Sequence, residues 1–173
     1  ELSKIAKVIV VPGNHDANIS NKDRLDALTP IIELLDNKNI IFFSKSKFLK
    51  TFDIGNNYKV NLGIFSCLEN IDEWKKINDQ LDICEDKSIP SIGLFHGPIN
   101  KAKTDLGFVL NENFNVTFFD NWDFVLLGDI HARQDMNSKE TVSYCGSLIQ
   151  NNFGESLDKG YLLWEIDQNN KHN

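Results

Sequence analysis

Residues 8–16 read VIVVPGNHD, and this stretch decides the fold class. Its run of β-branched apolar residues predicts a buried strand, for which we expect the bounds 7–11. The strand stops at a proline and a glycine, and glycine lets the backbone turn sharply and approach a ligand closely. Asn14, His15 and Asp16 follow at once, and their side chains can bind a metal or a proton. The stretch therefore predicts a strand that presents polar groups at its carboxyl end.

The same pattern occurs at two later places in the chain. Residues 92–98 read IGLFHGP and residues 124–131 read FVLLGDIH, so the strands predicted at 91–95 and 124–127 also end at glycine-containing turns. Those turns carry His96, and Asp129 with His131. In α/β sheets, ligands collect at the carboxyl ends of the strands. Three of the four histidines occupy these turns, which favours a shared metal site.

Each histidine taken alone has an ordinary alternative role. His15 would suit a polar turn, His96 a buried position and His131 a surface position. His172 lies in a polar tail that we assign to residues 168–173, and we expect it to be solvated. The repeated strand-and-glycine context makes the metal site the better interpretation.

The rest of the chain alternates between apolar runs and amphipathic stretches, which predicts α/β layering in one domain over residues 1–167. We expect helical turns at 22–28 and 30–36, with Thr29 as a candidate cap and Pro30 at a permitted first position. A longer helix is predicted at 70–81. Further strands are predicted at 40–43, 58–66, 142–144 and 160–166.

Composition excludes several classes of protein. No run of the chain approaches the ~18 apolar residues of a membrane span. Three scattered cysteines without a CxxC pair favour reduced thiols in an intracellular protein of the cytoplasm or nucleus. The net charge of −7 and only two arginines argue against a DNA-coating protein. They do not exclude an enzyme that binds phosphate through metals, because charges beyond about 8 Å are largely screened.

The residue types at the turns suit a two-metal phosphoesterase. Two ions about 3.5–4 Å apart clamp a phosphate and lower the pKa of a bound water. Imidazole and carboxylate bind Mn, Fe, Zn or Co, and the Asn14 carbonyl binds a metal without cancelling its charge. If Asn14 binds, His15 is free to stabilise the transition state or protonate the leaving oxygen. Asp16 either orients His15 or caps the following turn.

The motifs resemble a known family. Residues 13–16 (GNHD), 96–97 (HG) and 128–131 (GDIH) resemble, in order, the last three of five motifs of the calcineurin-like metallophosphoesterases. Residues 144–147 (YCGS), 153–155 (FGE) and 159–161 (KGY), together with Gln134, are similar to its DNA-repair nuclease branch. That branch comprises the SbcD-type exonuclease subunit and its eukaryotic and phage relatives.

The resemblance implies a four-layer α/β/β/α sandwich with two divalent ions, usually Mn²⁺. It implies exonuclease activity on double-stranded DNA and endonuclease activity on single-stranded DNA in break repair or recombination, with an SMC-like ATPase as partner and a homodimer as assembly. By position, Asn14, His96 and Asp129 would bind one metal and His131 the other. His15 would be the catalytic histidine that binds no metal.

The chain departs from the family pattern at two points. The family usually has His where this chain has Asp129, so metal preference or rate is expected to differ. The first two motifs, an Asp-x-His after the first strand and the bridging Gly-Asp-x-x-Asp, are absent, because the only Asp-x-His of the chain, at residues 129–131, belongs by its context to the fifth motif. We therefore expect a chain truncated at its N-terminal side, lacking a strand-helix-strand portion, that binds metal weakly and is inactive alone.

Several alternatives remain open at this point. The substrate of the phosphoesterase is either DNA or another phosphoester, or the chain is a catalytically silent docking module. An apolar stripe either packs on the domain's own core or forms an intersubunit contact; it consists of Leu25, Leu28, Ile32 and Leu35. Lys45, Lys47 and Lys50 either follow DNA or line a solvated strand face.

Overall fold

The computed structural model describes residues 1–21 and 24–166. Its two α-helices are α1 (Thr29–Leu35) and α2 (Ile71–Asp82), and two 3-10 turns span Leu2–Lys4 and Val116–Phe119. The strands are β1 (Val8–Val10), β2 (Ile40–Phe42), β3 (Lys47–Gly55), β4 (Tyr58–Phe65), β5 (Ser91–His96), β6 (Phe124–Gly128), β7 (Gln134–Asp135) and β8 (Val142–Tyr144).

The strands form two sheets. β1 and β2 make a parallel pair, and the other strands make a mixed sheet in the order β3-β4-β5-β6-β8-β7. In that sheet β4, β5, β6 and β8 are parallel neighbours, and β3 and β7 are antiparallel edge strands. The two-stranded sheet covers one face, with α1 beside β2, and α2 packs on the other face. The predicted α/β class is therefore confirmed, with two sheets between helical layers.

The alternation of side chains along β4 explains the layering. Val60, Leu62 and Ile64 point to the face covered by β1, where they pack against Ile9 and Val11. The next residue, Phe65, points to the opposite face and joins a second apolar cluster. That cluster includes Phe95, Val125 and Leu127 of the sheet and Ile77 and Leu81 of α2. Because both faces are covered, the central parallel strands are apolar almost throughout.

Helix α2 forms close to its predicted bounds. Asn70 caps it, because its Oδ1 accepts hydrogen bonds from the N–H groups of Asp72 at 3.0 Å and Glu73 at 3.3 Å. Ile77 and Leu81, four residues apart, are the buried positions on its inner face.

The helix predicted at residues 22–28 is wrong for its described part, residues 24–28, which are not helical. The buried Asp26 explains the difference. Its Oδ1 accepts from the N–H groups of Leu28 and Thr29 at 2.9 and 2.7 Å, and its Oδ2 accepts from the Thr29 hydroxyl at 2.6 Å. Asp26 therefore closes a turn that starts α1 at Thr29, which is the first helical residue and not the cap.

No bounds were predicted for the antiparallel strand β3, although a strand face was one interpretation of Lys45, Lys47 and Lys50. It pairs with β4 through a two-residue turn in which Asn56 and Asn57 have φ angles of 53° and 61°. Asparagine tolerates this left-handed conformation, which hairpin turns of this length require. The Asn-Asn pair was thus an available signal. Lys47 and Lys50 are exposed on this edge strand.

The strand predicted at residues 160–166 is also wrong. Residues 160–165 form no strand ladder, and Ile166 makes one isolated bridge. The segment lies over the apolar face near β1, where Leu162 and Trp164 line a cavity of about 290 Å³. A suitable apolar pattern is not sufficient for a strand, because a ladder also needs continuous pairing with a neighbouring strand, and residues 160–165 form no such ladder. The predicted tail at 168–173 lies outside the described residues.

Within the described residues, no helix is long and apolar enough to cross a membrane.

Candidate metal centre

The turns that follow β1, β5 and β6 meet at one edge of the fold. β5 and β6 are parallel neighbours in a register that places His96 opposite Gly128. The Gly97 N–H donates to the Gly128 carbonyl at 3.3 Å, which joins the two turns directly. The side chain of Asn14, in the turn after β1, reaches across to Asp129. Groups from distant parts of the sequence therefore share one site.

Asn14, His96 and Asp129 form what we call the Asn14 cluster. The Asn14 Nδ2 donates to the Asp129 Oδ1 at 3.1 Å, and the Asn14 Oδ1 lies 3.3 Å from the His96 Nε2. The His96 Nε2 lies 3.6 Å from the Asp129 Oδ1. Ligand atoms at about 2.0–2.2 Å from a shared metal stand roughly 3–3.6 Å from each other. The distances from the His96 Nε2 to the Asn14 Oδ1 and the Asp129 Oδ1 lie in this range, so these three atoms suit one divalent cation.

Two glycines make room for the His96 ring. A Cβ at Gly13 would lie 2.8 Å from the His96 Cε1, and a Cβ at Gly128 would lie 2.9 Å from the His96 Nδ1. Any side chain at either position would push the imidazole away. Burial lowers the pKa of His96, although the Asp129 and Asp16 carboxylates oppose the shift. The ring is thereby favoured in the neutral form that binds metals.

The turn that carries Asn14 and His15 is closed by Asp16. Its Oδ2 accepts from the Gly13 N–H at 2.7 Å, and its own N–H donates to the Gly13 carbonyl at 3.1 Å. This carboxylate bonds to the backbone of the turn and not to His15. The His15 side chain is exposed beside the cluster, close enough for its charge to lower the pKa of His96.

Asp129 has an unusual backbone conformation. Its φ is 96°, in a region that residues with a side chain rarely adopt and that costs on the order of 1–3 kcal/mol. Strain of this kind persists where the surrounding contacts determine the conformation, and it concentrates at functional sites. The conformation aims the carboxylate at Asn14 and His96.

His131 lies in a second group of side chains, which we call the Glu155 network. It consists of Asp105, His131, Glu155 and Lys159. The His131 Nδ1 lies 2.8 Å from the Glu155 Oε1, and Lys159 pairs with both carboxylates. A cavity of about 240 Å³ connects the two groups, because Asp129 lines it together with His131 and Glu155. His131 is thus near the Asn14 cluster without joining its hydrogen bonds.

Ligand atoms of Asp105, His131 and Glu155 lie within 4.8 Å of one another, a spacing that can hold a metal. The Lys159 ammonium already lies 3.0 Å from the Asp105 carboxylate and 3.1 Å from the Glu155 carboxylate. It supplies the positive charge that a metal would supply there. We therefore read this triad as an ion-pair network rather than as a metal site.

Asp105, Glu155 and Lys159 were not predicted as site residues from the sequence. Glu155 and Lys159 belong to the C-terminal motifs that indicated the nuclease branch. Their sequence context was therefore a signal, but no role in the site was predicted for them. Asp105 has no such signal, since it lies in a loop far from any motif.

The C-terminal motifs pack directly on the turn that carries His131. Gly146 has a φ of 76°, and a Cβ there would lie 3.0 Å from the His131 carbonyl oxygen. The Ser147 N–H donates to that same oxygen at 3.3 Å. The buried Tyr144 hydroxyl donates to the Gly97 carbonyl at 2.7 Å, and burial raises its pKa. These contacts support the turns of both His96 and His131.

Residues 1–133 match the family described as calcineurin-like phosphoesterase. The match covers most of the chain and all three motif turns, so the chain belongs to this family of metal-dependent phosphoester hydrolases, which typically use a dinuclear metal centre. The chain is also 40% identical over 176 residues to R555, an uncharacterized protein of Acanthamoeba polyphaga mimivirus. The alignment covers 95% of this chain and 12% of the length of that viral protein.

Proposed function

We propose that the chain is the larger part of the nuclease domain of a DNA-processing enzyme. Its activities would be exonuclease on double-stranded DNA and endonuclease on single-stranded DNA, in break repair or recombination. The observation that carries the proposal is the packing of the C-terminal motifs. The stretch that resembles the nuclease branch contacts the His131 backbone through Gly146 and Ser147 and the His131 ring through Glu155. In this proposal, the residues that resemble the nuclease branch contact the site itself, where they can affect which substrate is hydrolysed.

The residues divide the work as follows in this proposal. Asn14, His96 and Asp129 hold one divalent ion, and His131 contributes to the second. When bound, the ions, most simply Mn²⁺, clamp the phosphodiester and lower the pKa of a water. His15 faces the substrate without binding metal and protonates the leaving oxygen. Gly13 and Gly128 keep the His96 ring in its place.

The chain by itself should bind Mn²⁺ weakly. The Asn14 cluster offers a single carboxylate, and the Glu155 carboxylate is already paired with Lys159. A dinuclear centre needs more negative charge to hold two cations at about 3.5–4 Å. Two tight Mn²⁺ sites in a titration of this chain would contradict the ligand assignment.

A hydrolase for another phosphoester and a silent docking module are the alternatives. To separate them, the full-length protein is incubated with a labelled DNA duplex, a labelled single strand and a small phosphomonoester, each with Mn²⁺. We expect the DNA substrates to be cut and the monoester to be spared. A His15→Gln variant of the same preparation controls for contaminating nucleases. Rapid monoester hydrolysis with intact DNA would favour the other hydrolase, and no hydrolysis at all would favour the docking module.

The assembly is also part of the proposal. All residues of α1 remain at least partly exposed, and Leu34 and Leu35 are 87% and 55% exposed. Leu25 of the predicted stripe is 68% exposed as well. We propose that this surface contributes to a homodimer, and that an SMC-like ATPase binds the same protein. A full-length protein that stays monomeric at micromolar concentration would count against the dimer.

A further inference from the structure

His131 has two chemically distinct ring nitrogens, and only one of them is engaged by a carboxylate. Its Nδ1 lies 2.8 Å from the Glu155 Oε1, an acceptor, and 3.2 Å from the Asn151 Nδ2, which is a donor and makes no hydrogen bond to a protonated Nδ1. The His131 side chain is 45% exposed, whereas that of Glu155 is 5% exposed. An ionised carboxylate has no proton to give, so the Nδ1 must carry the hydrogen of this bond. In the neutral ring the Nε2 then has a free lone pair.

Glu155 is held in place by several independent donors. The Asn151 N–H donates to its Oε2 at 3.0 Å, and the Asn152 amide donates to its Oε1 at 2.9 Å. The Lys159 ammonium lies 3.1 Å from the Oε2. These bonds leave the carboxylate little freedom to turn away from His131.

Lys159 connects this carboxylate to the backbone of His131. Its ammonium donates to the His131 carbonyl at 3.0 Å and to the Asp105 carboxylate at 3.0 Å. The Lys159 side chain is only 6% exposed, so its stem is packed and its position defined. Backbone and ring of His131 are thus both fixed by one network.

We propose that Glu155, anchored by Lys159, is a positioning residue for His131: its carboxylate accepts the Nδ1 proton and so leaves the Nε2 as the nitrogen that binds metal. The proposal rests on the metal role assigned to His131 under the proposed function. Carboxylates that orient a metal-binding histidine typically contribute 10–100-fold to metal affinity. Glu155 itself does not touch the metal in this arrangement.

The ring tautomer tests the proposal without any DNA. The 173-residue chain is labelled with ¹⁵N at histidine, and long-range ¹H–¹⁵N spectra report which ring nitrogen carries the proton. The His131 signals are identified by their loss in His131→Gln. We expect wild-type His131 to be protonated at Nδ1. A wild-type ring protonated at Nε2 would overturn the proposal by itself, even if no Glu155 variant folds.

Variants then connect the tautomer to metal affinity. Glu155→Ala should populate the Nε2-protonated form and weaken Mn²⁺ binding by about 10–100-fold. Glu155→Gln keeps an acceptor oxygen and should recover most of both properties. Asp123→Ala is the control, because Asp123 accepts bonds from Ser91 away from the site. It should change neither the tautomer nor the affinity at matched thermal stability.

Two further outcomes are decisive. If Glu155→Gln loses as much Mn²⁺ affinity as Glu155→Ala, and Lys159→Met raises the affinity, Glu155 is a ligand and the positioning role is wrong. If Glu155→Ala leaves tautomer and affinity unchanged, the role is also wrong. If His131 is protonated at Nδ1 as expected but the full-length protein does not cut DNA, the proposed function is wrong and the positioning role of Glu155 is retained.

Discussion

The Asn14 cluster, through Asp129, and the Glu155 network border one cavity, yet their charged groups are paired in different ways. The cluster joins an amide, an imidazole and a carboxylate that bond only weakly to each other, at 3.1–3.6 Å. The network joins two carboxylates through a lysine ammonium at 3.0 and 3.1 Å. The Asn14 cluster offers ligand atoms to a metal cation. In the Glu155 network, the Lys159 ammonium already supplies the positive charge.

This difference is the basis for proposing that the Asn14 cluster binds a metal and that the Glu155 network supports His131. A buried carboxylate that is paired and fully hydrogen-bonded gains little from a metal, because the metal must first displace the existing partner. The strained backbone of Asp129 instead directs its carboxylate towards Asn14 and His96, where no lysine or arginine side chain is paired with it among the described residues. We therefore assign different roles to the two carboxylates that lie beside a histidine: Asp129, beside His96, as a metal ligand, and Glu155, beside His131, as a positioning residue.

The largest expected effect concerns His15, which is beside the cluster but outside its hydrogen bonds. In the full-length protein, His15→Gln should lower DNA cleavage by roughly 10²–10⁴-fold, the range for a lost acid–base group. Its metal content should stay near wild type. His96→Gln and His131→Gln should instead lose metal, with activity partly recovered at high Mn²⁺. Metal analysis and cleavage on the same samples check this, and His15 variants that lose metal would reverse the assigned roles.

Gly128 tests whether the shape of the cluster matters. Gly128→Ala places a Cβ 2.9 Å from the His96 ring and should lower Mn²⁺ affinity by about 10–100-fold by displacing the imidazole. Gly160→Ala is the matched control, because a Cβ there meets nothing within 4 Å. Titration of both variants checks the difference. Equal affinities would mean that the close approach of Gly128 to His96 has no role in binding.

The Glu155 network should make the thermal stability of the fold depend on pH in the acidic range. The hydrogen bond with His131, the Asn151 N–H and the Lys159 ammonium lower the pKa of Glu155 from 4.5 to about 2. A lowered pKa stabilises the fold above pH 4.5, and this contribution is lost as the pH falls from 4.5 towards 2. The Tm advantage of wild type over Glu155→Gln should therefore shrink on acidification over that window. A constant advantage would show that the charge of Glu155 does not contribute.

Asp129→His is expected to have the smallest effect. It restores the ligand that the family usually has, and histidine is among the residues that tolerate positive φ. Cleavage by the full-length variant should stay within about tenfold of wild type, while the metal that gives the best rate shifts, because imidazole is a softer ligand than carboxylate. A rate profile over Mn²⁺, Co²⁺ and Zn²⁺ checks this. Complete loss of activity would mean that the charge of Asp129 is required.

Much of the fold followed from local patterns. The strands at 91–95 and 124–127 were predictable because they are short apolar runs bounded by turn residues, and helix α2 because Asn70 and its apolar spacing mark it. The errors lie where a neighbour decides the outcome. Residues 160–165 have a strand pattern but form no strand ladder, and at residues 24–28 the hydrogen bonds of Asp26 close a turn in place of the predicted helix.

The sequence by itself determined the α/β class, the family and the candidate residues Asn14, His15, His96, Asp129 and His131, because strand ends and their glycines are local features. Only the tertiary structure showed that Asn14, His96 and Asp129 meet while His131 turns towards Glu155. Asp105 lies 54 residues before Lys159 in the chain, and no local pattern joins the two. Their association depends on how a C-terminal loop packs over a strand end, since long-range ion pairs form only after the fold has brought their charges together.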